Sequence, residues 1–268
     1  MPYIRANGIR IAFDTFGSLK KKPLFLIHGL TGQRMNQEAT ARQLCDDYFV
    51  VTYDCRGHGQ TDHPAAYNLE DHGRDLLALI DALGYDQASV LGASMGSYIA
   101  LQAAELDPCR IDKLILVTAK AYDDGSGSSV QRLLKEEGLD MTTASAEEKS
   151  RILSTALWSP NVTPEMLAAF APRMKLSGEN VVPLTPEETA AVNQALVGFD
   201  LRPDLANVSC QTLVIAGTYD RINPPAFGKE IVENLPHAEY AEFPGGHLLN
   251  MEFEEDYLRC VRAFLEKE

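Results

Sequence analysis

Apolar positions along this chain follow two periods. Near the start, Ile4 and the run Ile9–Phe16 flank Asn7-Gly8, a dipeptide that suits a tight hairpin turn because both positions tolerate positive φ. Short apolar runs follow, each stopped by a turn: Leu24–Ile27, Tyr48–Tyr53, Ala88–Leu91, Leu114–Val117 and Leu213–Ala216, with Tyr240–Phe243 as one more. Runs of about four to six residues that are apolar throughout, rather than alternating, predict parallel strands buried on both faces. Between them the period lengthens. Asn68 is a candidate N-cap; Leu69, Leu76, Ile80 and Leu83 then recur at helical spacing until Gly84. A second helical segment runs from Ser94 through Ile99, Leu101 and Ala104 to Asp107-Pro108. Strand and helix in alternation predict an α/β fold, a mostly parallel sheet with helices on both faces.

The alternation stops at residues 121–200, which contain no strand pattern. They open on Asp123-Asp124-Gly125-Ser126-Gly127-Ser128-Ser129, a polar stretch expected to be flexible. A helix is expected around Val130–Glu137, and three start signals follow. Ser145 and Glu148 match a capping box, Thr163-Pro164-Glu165 sets a cap before a proline, and Thr185-Pro186-Glu187-Glu188 combines both. The reading is an all-helical insertion of about four helices. It divides the chain into a first core part (1–120), a helical cap (121–200) and a second core part (201–268), the α/β pattern resuming at Gln211. A cap over the active site is the expectation; a purely structural satellite is the alternative.

Composition narrows the partners. The 268 residues carry 24 Lys and Arg against 38 Asp and Glu, a net charge of −14. That argues against nucleic acid and anionic membrane as partners, since both need clustered positive charge. Cys45, Cys55, Cys109, Cys210 and Cys260 are scattered, odd in number and without a CxxC pair, which argues against a disulfide framework and for a reducing cytoplasm. The first ten residues lack a signal-peptide core, and no apolar run has the length of a membrane span. His63, His72 and His237 have no partners at metal-ligand spacing.

Chemistry enters with Gly92-Ala93-Ser94-Met95-Gly96, a G-x-S-x-G between the strand Ala88–Leu91 and a helical segment. A chain that turns from strand to helix in so few residues leaves the serine in a strained conformation with its oxygen exposed, and side chains in place of the flanking glycines would collide with the turn. Asp220 lies just past the strand Leu213–Ala216. His247 sits 27 residues further on, in Phe243-Pro244-Gly245-Gly246-His247 after the next strand. The roles follow from the side chains: Ser94 as nucleophile needs a base, His247 can take its proton near neutral pH, and Asp220 would fix the imidazole tautomer. A tetrahedral intermediate also needs two donors aimed at its oxyanion. The backbone N–H groups of Met95 and of Leu30, in His28-Gly29-Leu30-Thr31-Gly32, are the candidates, and His28 reads as a buried structural histidine. Trp158, Met166 and Phe170 are candidates for an apolar substrate pocket. Met166, Leu167, Phe170 and Met174, at helical spacing, read equally as the core of the insertion.

Together these residues resemble the α/β-hydrolase superfamily over essentially the whole chain. The marks are His28-Gly29, the Ser94 elbow, Asp220 and His247, with Asp54-Cys55-Arg56-Gly57-His58-Gly59-Gln60-Thr61-Asp62 similar to the superfamily's D-x-R-G-x-G-x-S/T turn. That turn is structural in the family, so the resemblance gives His58 and Asp62 no catalytic part. Size and cap resemble the esterase, enol-lactonase and non-haem haloperoxidase (perhydrolase) branch, which implies no metal and no organic cofactor. The serine distinguishes the chain from haloalkane dehalogenases and epoxide hydrolases, which use aspartate there, and the oxyanion loop lacks the H-G-G-P-G of proline iminopeptidases. The expectation is hydrolysis of a small carboxylic ester or lactone through an acyl-enzyme. A C–C bond hydrolase, amidase or perhydrolase on the same triad, or a slow-turnover signalling or ligand-binding receptor, remains open, as does the oligomeric state.

Overall fold

The computed structural model describes residues 2–123, 129–174 and 181–267. Its spine is one eight-stranded sheet, β1 (Tyr3–Ala6), β2 (Ile9–Phe16), β3 (Pro23–Ile27), β4 (Phe49–Tyr53), β5 (Ala88–Ala93), β6 (Ile111–Val117), β7 (Gln211–Gly217) and β8 (Ala238–Phe243). The order is β1-β2-β4-β3-β5-β6-β7-β8; β2 runs antiparallel to both its neighbours, β1 and β4, and the other pairs are parallel. Asn7 and Gly8 both have positive φ (+46° and +77°), as the opening hairpin requires.

The unbroken apolar runs bury both faces of the sheet. Phe25 and Ile27 of β3, with Leu114 and Leu116 of β6, join one core layer; Leu24 and Leu26, with Ile115 and Val117, join the other. The first layer is closed by α2 (Leu69–Ala82), α3 (Met95–Leu106) and a later helix at Pro225–Asn234; the second by α1 (Glu38–Leu44) and the final helix Glu254–Leu265. Asn68 caps α2 reciprocally with Asp71, and Gly84 beyond its end has φ +83°. The final helix opens on the acidic residues Glu254–Asp256, and Glu252 closes a separate short helix, Leu249–Glu252, before the break at Phe253.

Residues 121–200 form four helices among the described residues: α4 (Ser129–Glu136), α5 (Ala146–Leu157), α6 (Pro164–Met174) and α7 (Pro186–Gln194). Ser145 and Thr185 make the capping boxes with Glu148 and Glu188. Of the polar stretch 123–129, residues 124–128 lie outside the described residues. The ends of the segment meet in an isolated antiparallel bridge, Tyr122 to Asp200, flanked by Asp123 N–H to Phe199 O and Leu201 N–H to Ala121 O, both 2.8 Å. The following helices are α8 (Pro225–Asn234), α9 (Leu249–Glu252) and α10 (Glu254–Leu265). Among the described residues no helix is long and apolar enough to cross a membrane.

Candidate active site

Ser94 stands between β5 and α3 with φ +52° and ψ −121°. A β-carbon on Gly92 would fall 2.0 Å from the Gly96 carbonyl oxygen, and one on Gly96 would fall 2.4 Å from that of Ile27, so the elbow closes only with glycine at both places. Two further non-glycine residues beyond strand ends share the left-handed conformation, Thr31 after β3 (φ +59°) and Thr118 after β6 (φ +49°). Positive φ is costly for a β-branched residue. Three such positions at the carboxyl edge of adjacent parallel strands mark it as the place where the fold stores strain.

The acid and the histidine are brought together. Asp220 follows β7 and is buried; its Oδ2 accepts from His247 Nδ1 at 2.8 Å. Its Oδ1 accepts from the backbone N–H groups of Ile222 (2.8 Å) and Asn223 (2.9 Å). The carboxylate is therefore held on both oxygens, and the histidine is pinned through Nδ1, leaving Nε2 as the nitrogen that can take up a proton. The loop carrying His247 is tied back to the acid loop by Tyr219 N–H to Gly245 O at 2.9 Å. Among the described residues no hydrogen bond joins Ser94 to His247 in this resting geometry; such contacts often close only when substrate binds.

The loop after β3 lies against Ser94, since a β-carbon at Gly29 would sit 3.5 Å from Ser94 Cβ. Met95 opens α3, so its N–H has no partner within the helix. Among the described residues neither this amide nor that of Leu30 donates to an acceptor in the fold. His28 is wholly buried, donates through Nδ1 to Gly29 O (2.8 Å) and accepts at Nε2 from Cys55 N–H (3.0 Å). Burial pushes its pKa down to about 4, so it is a neutral brace for this loop rather than a second base. The turn after β4 is likewise structural. Asp54 takes a buried ion pair from Arg34, and Asp62 caps Arg10 N–H at 2.8 Å. His58 is buried with its pKa pushed down to about 3, by desolvation first and the neighbouring His28 second.

The helical segment is bonded to the loops that carry Asp220, His247 and Leu30. Arg132 of α4 bonds the carbonyls of Arg221 and Ile222, next to Asp220. Leu248 N–H, next to His247, donates to Leu157 O at 3.1 Å; Glu252 Oε1 accepts from Gly246 N–H (2.9 Å) and from Ser159 N–H (3.1 Å). Gln33, beyond the Leu30 loop, exchanges a pair of bonds with the Val182 backbone. His63 bridges Gly59 O and Glu188 of α7. Trp158 is buried and stacks on Phe170 of α6, centroids 5.1 Å apart at 14°. Met166 is half-buried on the same helix. Leu167 and Met174 do not form the core of the segment; they stand 38% and 42% exposed, and its apolar cluster is Leu133, Leu134, Ala144, Ile152 and Ala156, joined by Ile222 from the acid loop.

Sequence reasoning missed Tyr98, Asn223 and Glu252. Each had a faint signal, Tyr98 one helical turn beyond Ser94, Asn223 three residues past Asp220, Glu252 five past His247. Polarity and spacing alone do not tell such residues from ordinary helix and turn positions. Among the described residues no group of three or more His, Cys, Asp or Glu is arranged to hold a metal ion.

A mostly parallel sheet, wrapped by helices and carrying a serine elbow after β5, defines an α/β hydrolase. Residues 22–254 match the family model described as the alpha/beta hydrolase fold, and the chain belongs to that family. It is similar to 3-oxoadipate enol-lactonase 2 of Acinetobacter baylyi, 28% identical over 98% of this chain and 96% of that one. It is also similar to a putative carbamate hydrolase, RutD, of Caulobacter segnis, 27% identical over 92% of each. Among solved structures, the enol-lactonase from Burkholderia xenovorans superposes with a TM-score of 0.83 at 25% identity, covering 99% of this chain and 100% of that one. A thermophilic esterase from Thermogutta terrifontis superposes at 0.80 and 25%, covering 99% and 98%. The protein is a hydrolase of this superfamily.

Proposed function

We propose that the chain is a serine hydrolase that cleaves a small carboxylic ester or lactone through an acyl-enzyme on Ser94. The observation that carries the reading is the His247–Asp220 pair. A 2.8 Å bond from Nδ1 into a carboxylate already held by two backbone amides leaves Nε2 to act as base. Ser94 Oγ attacks the carbonyl carbon while its proton passes to His247 Nε2, and Asp220 stabilises the imidazolium that forms. The Leu30 and Met95 amides receive the oxyanion. Collapse expels the alcohol, which takes the proton back from His247. Water, deprotonated by the same nitrogen, then releases the acid. In a lactone the leaving alcohol stays attached to the acyl group, so one hydroxy acid is the product.

Residues 121–200 act as a cap that selects the substrate. Support comes from their bonds to the loops of Leu30, Asp220 and His247, and from Trp158 and Phe170, which set aromatic surface at that edge. Relatives named enol-lactonase and carbamate hydrolase place esters, lactones and carbamates first in a substrate panel. A fluorophosphonate should label the protein once, at Ser94, with labelling and turnover both lost in Ser94→Ala. Hydrolysis at the wild-type rate by that variant refutes the reading. Tight binding across the panel without turnover points instead to a ligand-binding protein.

A further inference from the structure

The residues that hold Asp220 also reach the nucleophile. Asn223 gives its backbone N–H to Asp220 Oδ1. Its side-chain Nδ2 donates to the Thr118 carbonyl at 2.7 Å and to the Tyr98 hydroxyl oxygen at 2.5 Å. A carbonyl can only accept, so Thr118 fixes which way the amide points. The orientation leaves Asn223 Oδ1 buried without a hydrogen-bond partner among the described residues. An acceptor stranded in this way costs about 1–3 kcal/mol, so the fold holds the amide for what Nδ2 does. Thr118 itself pays in backbone strain to present that carbonyl.

Tyr98 is buried on α3, four residues beyond Ser94. Long helical side chains lean back over the preceding turn, which aims the phenol at the elbow. Its ring stacks on Phe199 at 5.2 Å, and the Ser94 side chain is among the groups close to its hydroxyl, with no hydrogen bond between the two in this structure. Burial holds the phenol well above its ordinary pKa, so it is a neutral donor. A phenol has one hydrogen to give. Asn223 fills its acceptor side, and among the described residues the phenol gives its hydrogen to no acceptor.

We propose that Tyr98 is a positioning residue for the nucleophile: its hydroxyl, oriented by Asn223, donates to Ser94 Oγ, so that the serine's own hydrogen is left for His247. The Tyr98–Asn223 pair thereby couples the elbow to the loop that carries Asp220, through a path separate from the His247–Asp220 bond. No proton is transferred through Tyr98. It sets which way the Ser94 hydroxyl points before attack. The proposal rests on the reading of Ser94 as nucleophile.

Tyr98→Phe deletes one oxygen and keeps the ring and its stack. The rate constant for fluorophosphonate inactivation and kcat for a small p-nitrophenyl ester should each fall about five- to tenfold, the worth of one neutral hydrogen bond, with KM within about twofold of wild type. The active fraction, measured by burst titration, should be unchanged, because the loss lies in the rate per site. Asn223→Leu keeps the backbone amide on Asp220 while removing the donor to Tyr98. It should lower the same rate constant and serves if the first variant folds poorly. Wild-type rate constants in these variants, or a fall that only tracks lost active fraction, overturn the proposal and leave the serine-hydrolase reading intact. Failure of the wild-type protein to label at Ser94 overturns both.

Discussion

The carboxyl edge of the sheet and the helical segment above it are built by opposite means. At the sheet edge Ser94, Thr31 and Thr118 hold strained backbone, Asp220 is bonded on both oxygens, and His28 and His58 are buried and neutral. Within 121–200, α5 and α7 begin with ordinary caps, the segment keeps a small apolar cluster of its own and Leu167 and Met174 are exposed; α6 meets α10 through an exposed ion pair, Arg173 to Glu254. Exposed pairs are worth about 0–1 kcal/mol. Chemistry needs atoms fixed to fractions of an ångström, whereas selection among small substrates needs apolar surface that tolerates substitution. The contrast teaches that a fixed chemical edge and a substitutable layer can coexist when a few polar latches join them. Leu157 to Leu248 and Glu252 to Gly246 and Ser159 are of that kind.

If the contrast holds, damage at the sheet edge should be far more severe than damage above it. Asp220→Asn should keep the fold and cut kcat by about ten-thousandfold, the loss known for a triad aspartate in another fold. Near-normal kcat would show that another carboxylate orients His247 and that the edge is less committed than its bonding indicates.

Acid should act on the core first. The pKa values of His28 and His58 are pushed down from 6.5 to about 4 and about 3, and burial takes His72 well below its ordinary range. In the unfolded chain each imidazole takes up a proton near pH 6.5, while the folded ones stay neutral. Their contribution is therefore intact above pH 6.5 and is lost as pH falls towards 4, with a slope of up to about 1.4 kcal/mol per pH unit for each histidine. Residues 121–200 contain no histidine. Denaturant midpoints measured from pH 7 to pH 4 should fall in this sense, and His72→Phe should flatten the slope by about one proton. An unchanged slope in that variant would assign the acid sensitivity to other groups.

The smallest effects should come from the layer above. Trp158→Ala and Phe170→Ala break the stacked pair without touching Ser94, Asp220 or His247. Apolar pockets discriminate by about 1–3 kcal/mol per methylene, so each variant should re-rank an ester series by about tenfold per step in kcat/KM. Fluorophosphonate labelling of Ser94 should persist. A flat ranking in folded variants would make the helices a structural satellite.

What the sequence determined follows from local physics. Unbroken apolar runs suit strands covered on both faces, and five appear so, from β3 to β7; the sixth run, β8, is an edge strand with Glu239 and Glu242 exposed. Capping boxes and Asn7-Gly8 are short-range hydrogen-bond and φ preferences, so Asn68, Ser145, Thr185 and the opening hairpin were legible residue by residue. The G-x-S-x-G turn was legible because steric exclusion leaves few residues able to make it. Tertiary structure alone decided the rest. The 2.8 Å meeting of Asp220 with His247, the placing of Asn223 beside both Asp220 and Tyr98, and the reach of Glu252 to two segments all join residues through the packing of separate loops. So did the exposure of Leu167 and Met174, where helical spacing equally suited a core. Periodicity fixes which face of a helix is apolar. What that face meets depends on neighbours set by the whole chain.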